Sequence, residues 1–193
     1  MSAKVKNNWT KDEIQEIYYR PLLDLIYEAA TIHRENENYG EVQISSLLSI
    51  KTGGCPEDCA YCPQAARYHT GVEVHALMKT EQVVSAAERA KAGGATRLCM
   101  GAAWREVRDN RDFDRVIEMV QEVNKLDMEV CCTLGMLTYE QAQRLADAGL
   151  YAYNHNIDTS EENYSNIITT RTYADRLNTL ENARKAKLTV CSG

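Results

Sequence analysis

Three cysteines within one short loop constrain this chain more than any other feature. Cys55, Cys59 and Cys62 follow the spacing C-x3-C-x2-C, with Tyr61 directly before the last of them. Cysteines this close in sequence do not easily form disulfides with one another, whereas a short loop can direct three thiolates to one point. Thiolates are soft ligands that select zinc, copper(I) or iron–sulfur clusters. The loop therefore predicts a metal centre.

The number of ligands narrows the choice of metal. Structural zinc takes four ligands, usually as two separated pairs, and His69 is the next candidate after Cys62. An iron–sulfur cubane ordinarily takes four thiolates, so three would leave one iron open to a molecule that is not protein. The ligand count alone leaves both zinc and an iron–sulfur cluster open.

Composition excludes several classes of protein. The 193 residues include seven cysteines, and the first ten residues lack the apolar stretch of a signal peptide. An odd cysteine count without an export signal favours metal or redox chemistry over a disulfide framework. A net charge of -6 does not show the excess of positive charge that is typical of nucleic-acid-binding proteins. No apolar run is long enough to span a bilayer. We expect a soluble, cytoplasmic protein.

Apolar periodicity predicts helices that alternate with strands. Two helices open the chain, the first at the capping box of Thr10 and Glu13 and the second with Pro21 as its first residue. The predicted strands are 42–50, 96–101, 128–134, 151–157 and 188–191, and the helices between them are 80–92, 112–126, 138–148 and 172–187. We divide the chain into a helical lead-in, residues 1–40, and a core, residues 41–193.

Parallel strands joined by crossover helices fold either as a doubly wound sheet or as a (β/α) barrel. Three cysteines and two asparagines lie at or near the C-terminal ends of the predicted strands, which converge at one mouth in a barrel. They are Cys99, Cys131, Asn154, Asn156 and Cys191. The sequence after the first strand is not the glycine-rich phosphate turn of a doubly wound fold. The pattern favours an α/β fold of the TIM-barrel type.

Five strands make only part of a barrel, which needs about eight strands and about 250 residues. With the helical lead-in, a complete chain would need roughly 300 residues. We therefore expect this sequence to be the N-terminal part of a longer protein, truncated in its fifth strand.

Four segments carry a resemblance to a known family. They are IKTGGCPEDC at 50–59, CMGAAW at 99–104, YNHNIDT at 153–159 and TTRT at 169–172. Together with the C-x3-C-x2-C spacing, they resemble the biotin synthases, a family of radical S-adenosylmethionine (SAM) enzymes. The resemblance extends from Trp9 to Gly193. It implies a partial or full (β/α) barrel with the cysteine loop directly after the first strand.

The resemblance implies a [4Fe-4S] cluster whose open iron chelates the methionine end of SAM. Its ligands would be Cys55, Cys59 and Cys62. Tyr61 would pack beside the adenine of SAM, and the backbone of Ala102 and Ala103 would meet the amino-acid end.

A second, [2Fe-2S] cluster is implied deeper in the barrel. Its ligands would be Cys99, Cys131 and Cys191, which the predicted strands place at matching depth. The family's fourth ligand is an arginine from a later strand, beyond this chain. Arg97 lies on the same strand face as Cys99 and would only support the cluster by a hydrogen bond. Cys132 matches no ligand position, although it remains an alternative to Cys131.

The implied reaction is sulfur insertion that converts dethiobiotin to biotin, with a flavodoxin-type electron donor and a homodimeric enzyme. Asn154 and Asn156 would contact dethiobiotin, with Asn156 also near the ribose of SAM, and Asp158 would bond that ribose. Without the resemblance, Asp158 would be interpreted as the cap of the following turn. His155 is interpreted as structural, so no side chain is assigned as a catalytic acid or base.

Two hypotheses from different classes follow. The chain is either part of a biotin synthase or a non-catalytic product that binds an iron–sulfur cluster or zinc but does not complete its barrel.

Overall fold

A computed structural model describes residues 6, 8–35 and 39–193 of the chain. Most of the first ten residues, in which a signal peptide would begin, lie outside the described residues. The chain forms two compact units, Met1–Val42 and Gln43–Gly193. In the part of the chain described here, no helix has the length and apolar character needed to cross a membrane.

The first unit contains helices α1, Lys11–Tyr18, and α2, Leu22–Arg34. The capping box before α1 is confirmed, because Thr10 accepts from the amide of Glu13 and the Glu13 side chain accepts from the amide of Thr10. Helix α2 begins one residue later than predicted. Pro21 is its N-cap, with an extended ψ of 137°.

The second unit alternates strands and helices in chain order. Its elements are β1 Ser45–Lys51, α3 Thr80–Ala92, β2 Arg97–Ala102, α4 Arg111–Asn124, β3 Glu129–Thr133, α5 Tyr139–Asp147, β4 Ala152–Asn154, a 3-10 helix Glu161–Asn163, α6 Tyr164–Ile167, α7 Tyr173–Lys185 and β5 Thr189–Cys191. Adjacent strands pair in parallel in the order β1-β2-β3-β4-β5. A doubly wound sheet reverses its strand order, whereas a barrel does not. The α/β prediction is confirmed, and the open sheet is consistent with an incomplete barrel.

Four of the five strands are shorter than the apolar pattern predicted, whereas β2 keeps its predicted length of 6 residues. Strand β1 begins at Ser45 because the preceding residues only approach the sheet: the carbonyl of Ile44 accepts from the amide of Thr96, and Val42 is exposed. Strand β4 ends at Asn154, and the 3-10 helix and α6 after it were not predicted. Both are too short to show an apolar period.

The two faces of the sheet have different environments because side chains alternate along a strand. Leu98, Met100, Val130, Cys132 and Tyr153 are at most 1% exposed and belong to the core that the sheet forms with α3, α4 and α5. Full burial of a large apolar side chain contributes about 1.5–3 kcal/mol. The alternate residues of β2 to β5 therefore lie on the opposite face, which would be the inside of a barrel.

Candidate functional site

The cysteine loop directly follows β1, as predicted. Gly53 and Gly54 have φ values of 68° and 63°, a conformation that favours glycine. A Cβ at Gly53 would also lie 3.1 Å from the carbonyl oxygen of Glu73. The loop then folds back on itself, since Cys55 donates its amide to Gln64 and accepts from the amide of Ala66. These bonds fix the position of the first cysteine.

The three loop cysteines line one cavity of about 170 Å³ at the C-terminal ends of the first strands. Tyr61 of the loop also lines the cavity, as do Ala102 and Ala103 at the end of β2. The remaining lining residues are Glu57, Gln64, Trp104, Thr133, Gly135, His155, Arg171 and Arg176. His69 is exposed and does not line this cavity.

The donor set of the cavity fits an iron–sulfur cluster. Within the ranges that the structure describes, no three or more His, Cys, Asp or Glu side chains are grouped to hold a single metal ion. A cubane binds each thiolate through a different iron, so its ligands surround the cluster and do not converge on one ion. Burial raises the pKa of the Cys55 and Cys59 thiols, and the positive charge of Arg171 opposes this for Cys59.

Asp58 ties the cysteine loop to the segment after α6. Its Oδ1 accepts from the amides of Thr169 and Thr170, at 2.9 and 3.2 Å. The Thr169 hydroxyl donates to Oδ2, and Arg67 lies 3.0 Å from the same oxygen. Burial alone would raise the pKa of Asp58, but the hydrogen bonds from Thr169 and Thr170 outweigh it and hold this pKa well below its usual range. The carboxylate is therefore ionised and anchors the loop.

Arg171 is the centre of a buried ionic network. Its side chain is 4% exposed, and its Nη1 lies 2.8 Å from Oε1 of Glu57, itself 3% exposed. Its Nε donates to the hydroxyl of Tyr164 at 3.0 Å. Its Nη2 lies 3.4 Å both from Sγ of Cys59 and from Oδ2 of Asp158. Because buried charges require partners, this network holds the cysteine loop and Asp158 together.

Asp158 does not cap the turn that follows it. Its carboxylate bonds three side chains: the Tyr61 hydroxyl donates to Oδ1 at 2.5 Å, and Arg176 Nη2 donates to Oδ2 at 2.8 Å, beside Arg171. The alternative interpretation, in which Asp158 merely caps this turn, is therefore wrong. The carboxylate has stronger partners in the two arginines than a backbone amide would provide.

His155 is 1% exposed, and both its ring nitrogens lie 3.0 Å from Nη1 of Arg176. Burial, together with the charges of Arg176 and Arg171, lowers its pKa to about 3. The imidazole is therefore neutral near pH 7.

The second set of cysteines lies on the sheet face opposite the core. Cys99 and Cys131 are direct partners in the β2–β3 register, and burial followed by the charge of Cys99 raises the pKa of the Cys131 thiol. Cys191 pairs with Asn154, two residues beyond the Ala152 that pairs with Cys131. The prediction of matching depth is thus correct for Cys99 and Cys131, but Cys191 lies further toward the C-terminal end of the sheet. None of the three lines the cavity described above.

Cys132 and Arg97 have different surroundings from these cysteines. Cys132 is 0% exposed within the core between sheet and helices, on the opposite face from Cys131. Arg97 donates from Nε and Nη2 to Oε2 of Glu129, at 2.9 and 2.7 Å, and its guanidinium stacks 5.1 Å from the centre of the Tyr151 ring. Arg97 is thus held on the inner face, beside the second cysteine set.

The two asparagines differ in burial. Asn154 is half-buried and donates to the hydroxyl of Thr133 at 3.1 Å. Asn156 is exposed, and its side-chain oxygen accepts from the amide of Gly193. Backbone bonds from His155 to Cys191 and from Ile157 to Gly193 continue the pairing beyond the end of β4. Neither asparagine lines the cysteine cavity.

A model of the radical SAM superfamily matches residues 49–193. The chain belongs to the radical SAM superfamily. Membership implies a [4Fe-4S] cluster and SAM.

Several curated relatives in this radical SAM superfamily are biotin synthases. The chain is 67% identical to the biotin synthase of Flavobacterium johnsoniae, over 100% of this chain and 53% of the relative. It is 66% identical to that of Cytophaga hutchinsonii, over 99% and 57%, and 59% identical to that of Schizosaccharomyces pombe, over 98% and 52%. The chain thus spans about half the length of these relatives.

Two solved structures share the fold. Methylornithine synthase (PylB) superposes with a TM-score of 0.76 at 17% identity, over 95% of this chain and 55% of that one. HydG, a maturase of the [FeFe]-hydrogenase, gives 0.72 at 18% identity, over 94% and 42%. At this level of identity the likeness concerns the fold alone.

Sequence reasoning missed the charged residues around this cavity. It gave no role to Glu57, Arg171 and Arg176, which belong to the buried network, or to Asp58, which anchors the cysteine loop. The TTRT segment was a usable signal, because two threonines and an arginine next to a predicted helix start indicate polar groups with nearby partners.

Gly135 supports one wall of the cavity. Its φ is 86°, and a Cβ there would lie 2.5 Å from the carbonyl oxygen of Arg105 and 2.6 Å from its carbon. We expect Gly135→Ala to lower the free energy of unfolding by about 2 kcal/mol or more, from the positive φ and the backbone clash. Urea denaturation measures the loss. The control is Gly71→Ala, where a Cβ meets nothing within 4 Å. Equal effects of the two substitutions would contradict the prediction.

Proposed function

We propose that the full-length protein is a biotin synthase, a radical SAM sulfurtransferase that converts dethiobiotin to biotin. One observation carries this proposal. Three cysteines of one loop line a cavity at the C-terminal ends of the strands, and a second cysteine set occupies the inner face of the same sheet. Identity of 67% to a biotin synthase over the whole chain supports it.

In this proposal Cys55, Cys59 and Cys62 hold the [4Fe-4S] cluster. When bound, the cluster and SAM supply the radical that removes hydrogen from an unactivated carbon. Tyr61 and Asp158 contact each other, so the adenine and ribose contacts assigned to them come from adjacent side chains. Ala103 is buried beside the cysteines, and its amide donates to the carbonyl of Lys51. Its own carbonyl accepts from Nζ of Lys51 at 2.9 Å, and the carbonyl of Ala102 accepts from the amide of Trp104. These bonds fix the backbone that is proposed to meet the amino-acid end of SAM.

Cys99, Cys131 and Cys191 hold the second, [2Fe-2S] cluster in this proposal. Glu129 holds Arg97 two residues before Cys99 on the inner face of β2, where its charge opposes the rise that burial causes in the pKa of the Cys131 thiol. The inner face excludes water once the barrel is closed, which protects a carbon radical from side reactions.

Asn154 and Asn156 are proposed to bind the ureido group of dethiobiotin. An amide group offers both a donor and an acceptor, which complements the N–H and C=O groups of a cyclic urea. We further infer a homodimeric cytoplasmic enzyme with a flavodoxin-type electron donor, and a helical lead-in at residues 1–40 that carries no site residues.

The test is an assay of the full-length protein, reconstituted anaerobically with iron and sulfide and supplied with SAM, a low-potential reductant and dethiobiotin. We expect both 5′-deoxyadenosine and biotin as products, quantified by mass spectrometry. SAM cleavage without biotin would reject dethiobiotin as the substrate. Absence of both products in protein with a full iron content would reject the proposal.

The two cysteine sets predict separable effects. We expect Cys191→Ala to remove the absorption of the [2Fe-2S] cluster and to leave that of the [4Fe-4S] cluster, because the two sets lie in different places. Cys132→Ala is the matched control and keeps both clusters, since Cys132 faces the helices. Loss of both clusters in Cys191→Ala would contradict two separate sites.

A further inference from the structure

One loop cysteine has an arginine at its sulfur. Nη2 of Arg171 donates to Sγ of Cys59 across 3.4 Å, an ordinary distance for a bond to sulfur. The arginine comes from the TTRT segment before α7, not from the cysteine loop. The contact therefore depends on the tertiary fold.

The guanidinium is held in this orientation by three other groups. Tyr164 accepts from Nε at 3.0 Å, Glu57 lies 2.8 Å from Nη1, and Asp158 lies 3.4 Å from Nη2. With 4% of its side chain exposed, the guanidinium would lose these buried partners in any other orientation. One N–H of the planar guanidinium therefore stays directed at Sγ of Cys59.

Among the residues that the structure describes, Cys55 and Cys62 have no equivalent partner. Lys51 interacts electrostatically with Cys55, but its Nζ donates to the carbonyls of Gly53 and Ala103. Within the described part of the chain, Cys59 is the loop cysteine whose sulfur accepts a hydrogen bond from a cationic side chain.

We propose, on the basis of the function proposed above, that Arg171 raises the reduction potential of the [4Fe-4S] cluster through Cys59. Hydrogen bonds to ligand sulfurs and the local net charge both set the potential of such clusters. Reduction adds one electron to the cluster, taking it from the 2+ to the 1+ state, and an arginine that never loses its proton stabilises this extra negative charge. Arg171 is thus a positioning residue that acts on the cluster through its ligand.

The test is Arg171→Lys in the full-length protein, with the cluster potential measured by a dithionite titration followed by EPR. Lysine keeps the positive charge beside Glu57 and Asp158 but has no rigid fork. We expect the ratio of reduced to oxidised cluster at a fixed potential to fall about tenfold, a shift of about 59 mV to lower potential for one electron.

Arg105→Lys is the matched control. Arg105 also faces Glu57, at 3.8 Å, but it is 42% exposed and no hydrogen bond joins it to Cys59. We expect its cluster potential to stay at the value of the unsubstituted protein. Equal shifts in the two variants, or no shift in Arg171→Lys, would overturn the proposal.

A measurement on unsubstituted protein covers the case in which Arg171→Lys does not fold. In protein labelled with 15N-arginine, pulsed EPR of the reduced cluster should show hyperfine coupling to a guanidinium nitrogen, and its absence would overturn the proposal. A cluster that forms normally without this coupling rejects the inference alone, whereas a protein that forms no cluster rejects the proposed function.

Discussion

Replacing Arg171 with leucine is expected to lower the free energy of unfolding by about 3–5 kcal/mol, because two carboxylates would lose their buried partner. Glu57 and the side chain of Asp158 are 3% and 5% exposed, and both face the guanidinium. Asp158 would keep Arg176 at 2.8 Å, but Glu57 would keep only the neutral hydroxyl of Thr170 and the exposed Arg105, 3.8 Å away, among the described residues. Urea denaturation of the apoprotein measures the loss without the contribution of a cluster.

Arg184→Leu is the control for this substitution. Arg184 pairs with Glu181 at 2.7 Å, but its side chain is 75% exposed, and exposed pairs on one helix contribute about 0.3–0.5 kcal/mol. If Arg171→Leu cost no more than Arg184→Leu, the buried network would not hold the loop as described.

Cys59→Ala is expected to abolish the [4Fe-4S] cluster and, with it, the cleavage of SAM. The loop supplies three thiolates, and two of them cannot hold a cubane that ordinarily takes four ligands. The iron content and the 5′-deoxyadenosine formed per hour measure the two losses. The apoprotein should still fold, since Cys59 packs in a small cluster with Tyr164 and Ile168 that is separate from the main core.

Cys132→Ala is again the matched control, because it removes one buried thiol from the opposite face of the sheet. It should retain SAM cleavage. SAM cleavage that persisted in Cys59→Ala would contradict the assignment of the loop cysteines.

The sequence predicted the fold well because the signals for it are local. The capping box before α1 and the apolar period of α4 depend on residues a few positions apart, and both are present. The alternation that sends Cys131 inward and Cys132 into the core also follows from two neighbouring residues.

The charged network was not predictable in the same way. Arg171 meets Glu57, Cys59 and Asp158 only after the chain has closed around the cavity, and its neighbours in sequence do not reveal these partners. The prediction that Cys191 lies at the same depth as the other two cysteines was wrong for a related reason. The register of β4 with β5 depends on long-range pairing, which begins at Ala152 and Thr189. A residue pattern fixes which face a side chain occupies but not how far one strand slides along another.

The most direct test of the central claim is the EPR spectrum of the reduced, reconstituted full-length protein with and without SAM. Three protein ligands leave one iron of the cluster open, so SAM should bind there and change the spectrum. We expect a [4Fe-4S]+ signal whose g-values shift when SAM is added. A signal that SAM leaves unchanged, or stoichiometric zinc in place of iron, would contradict the account.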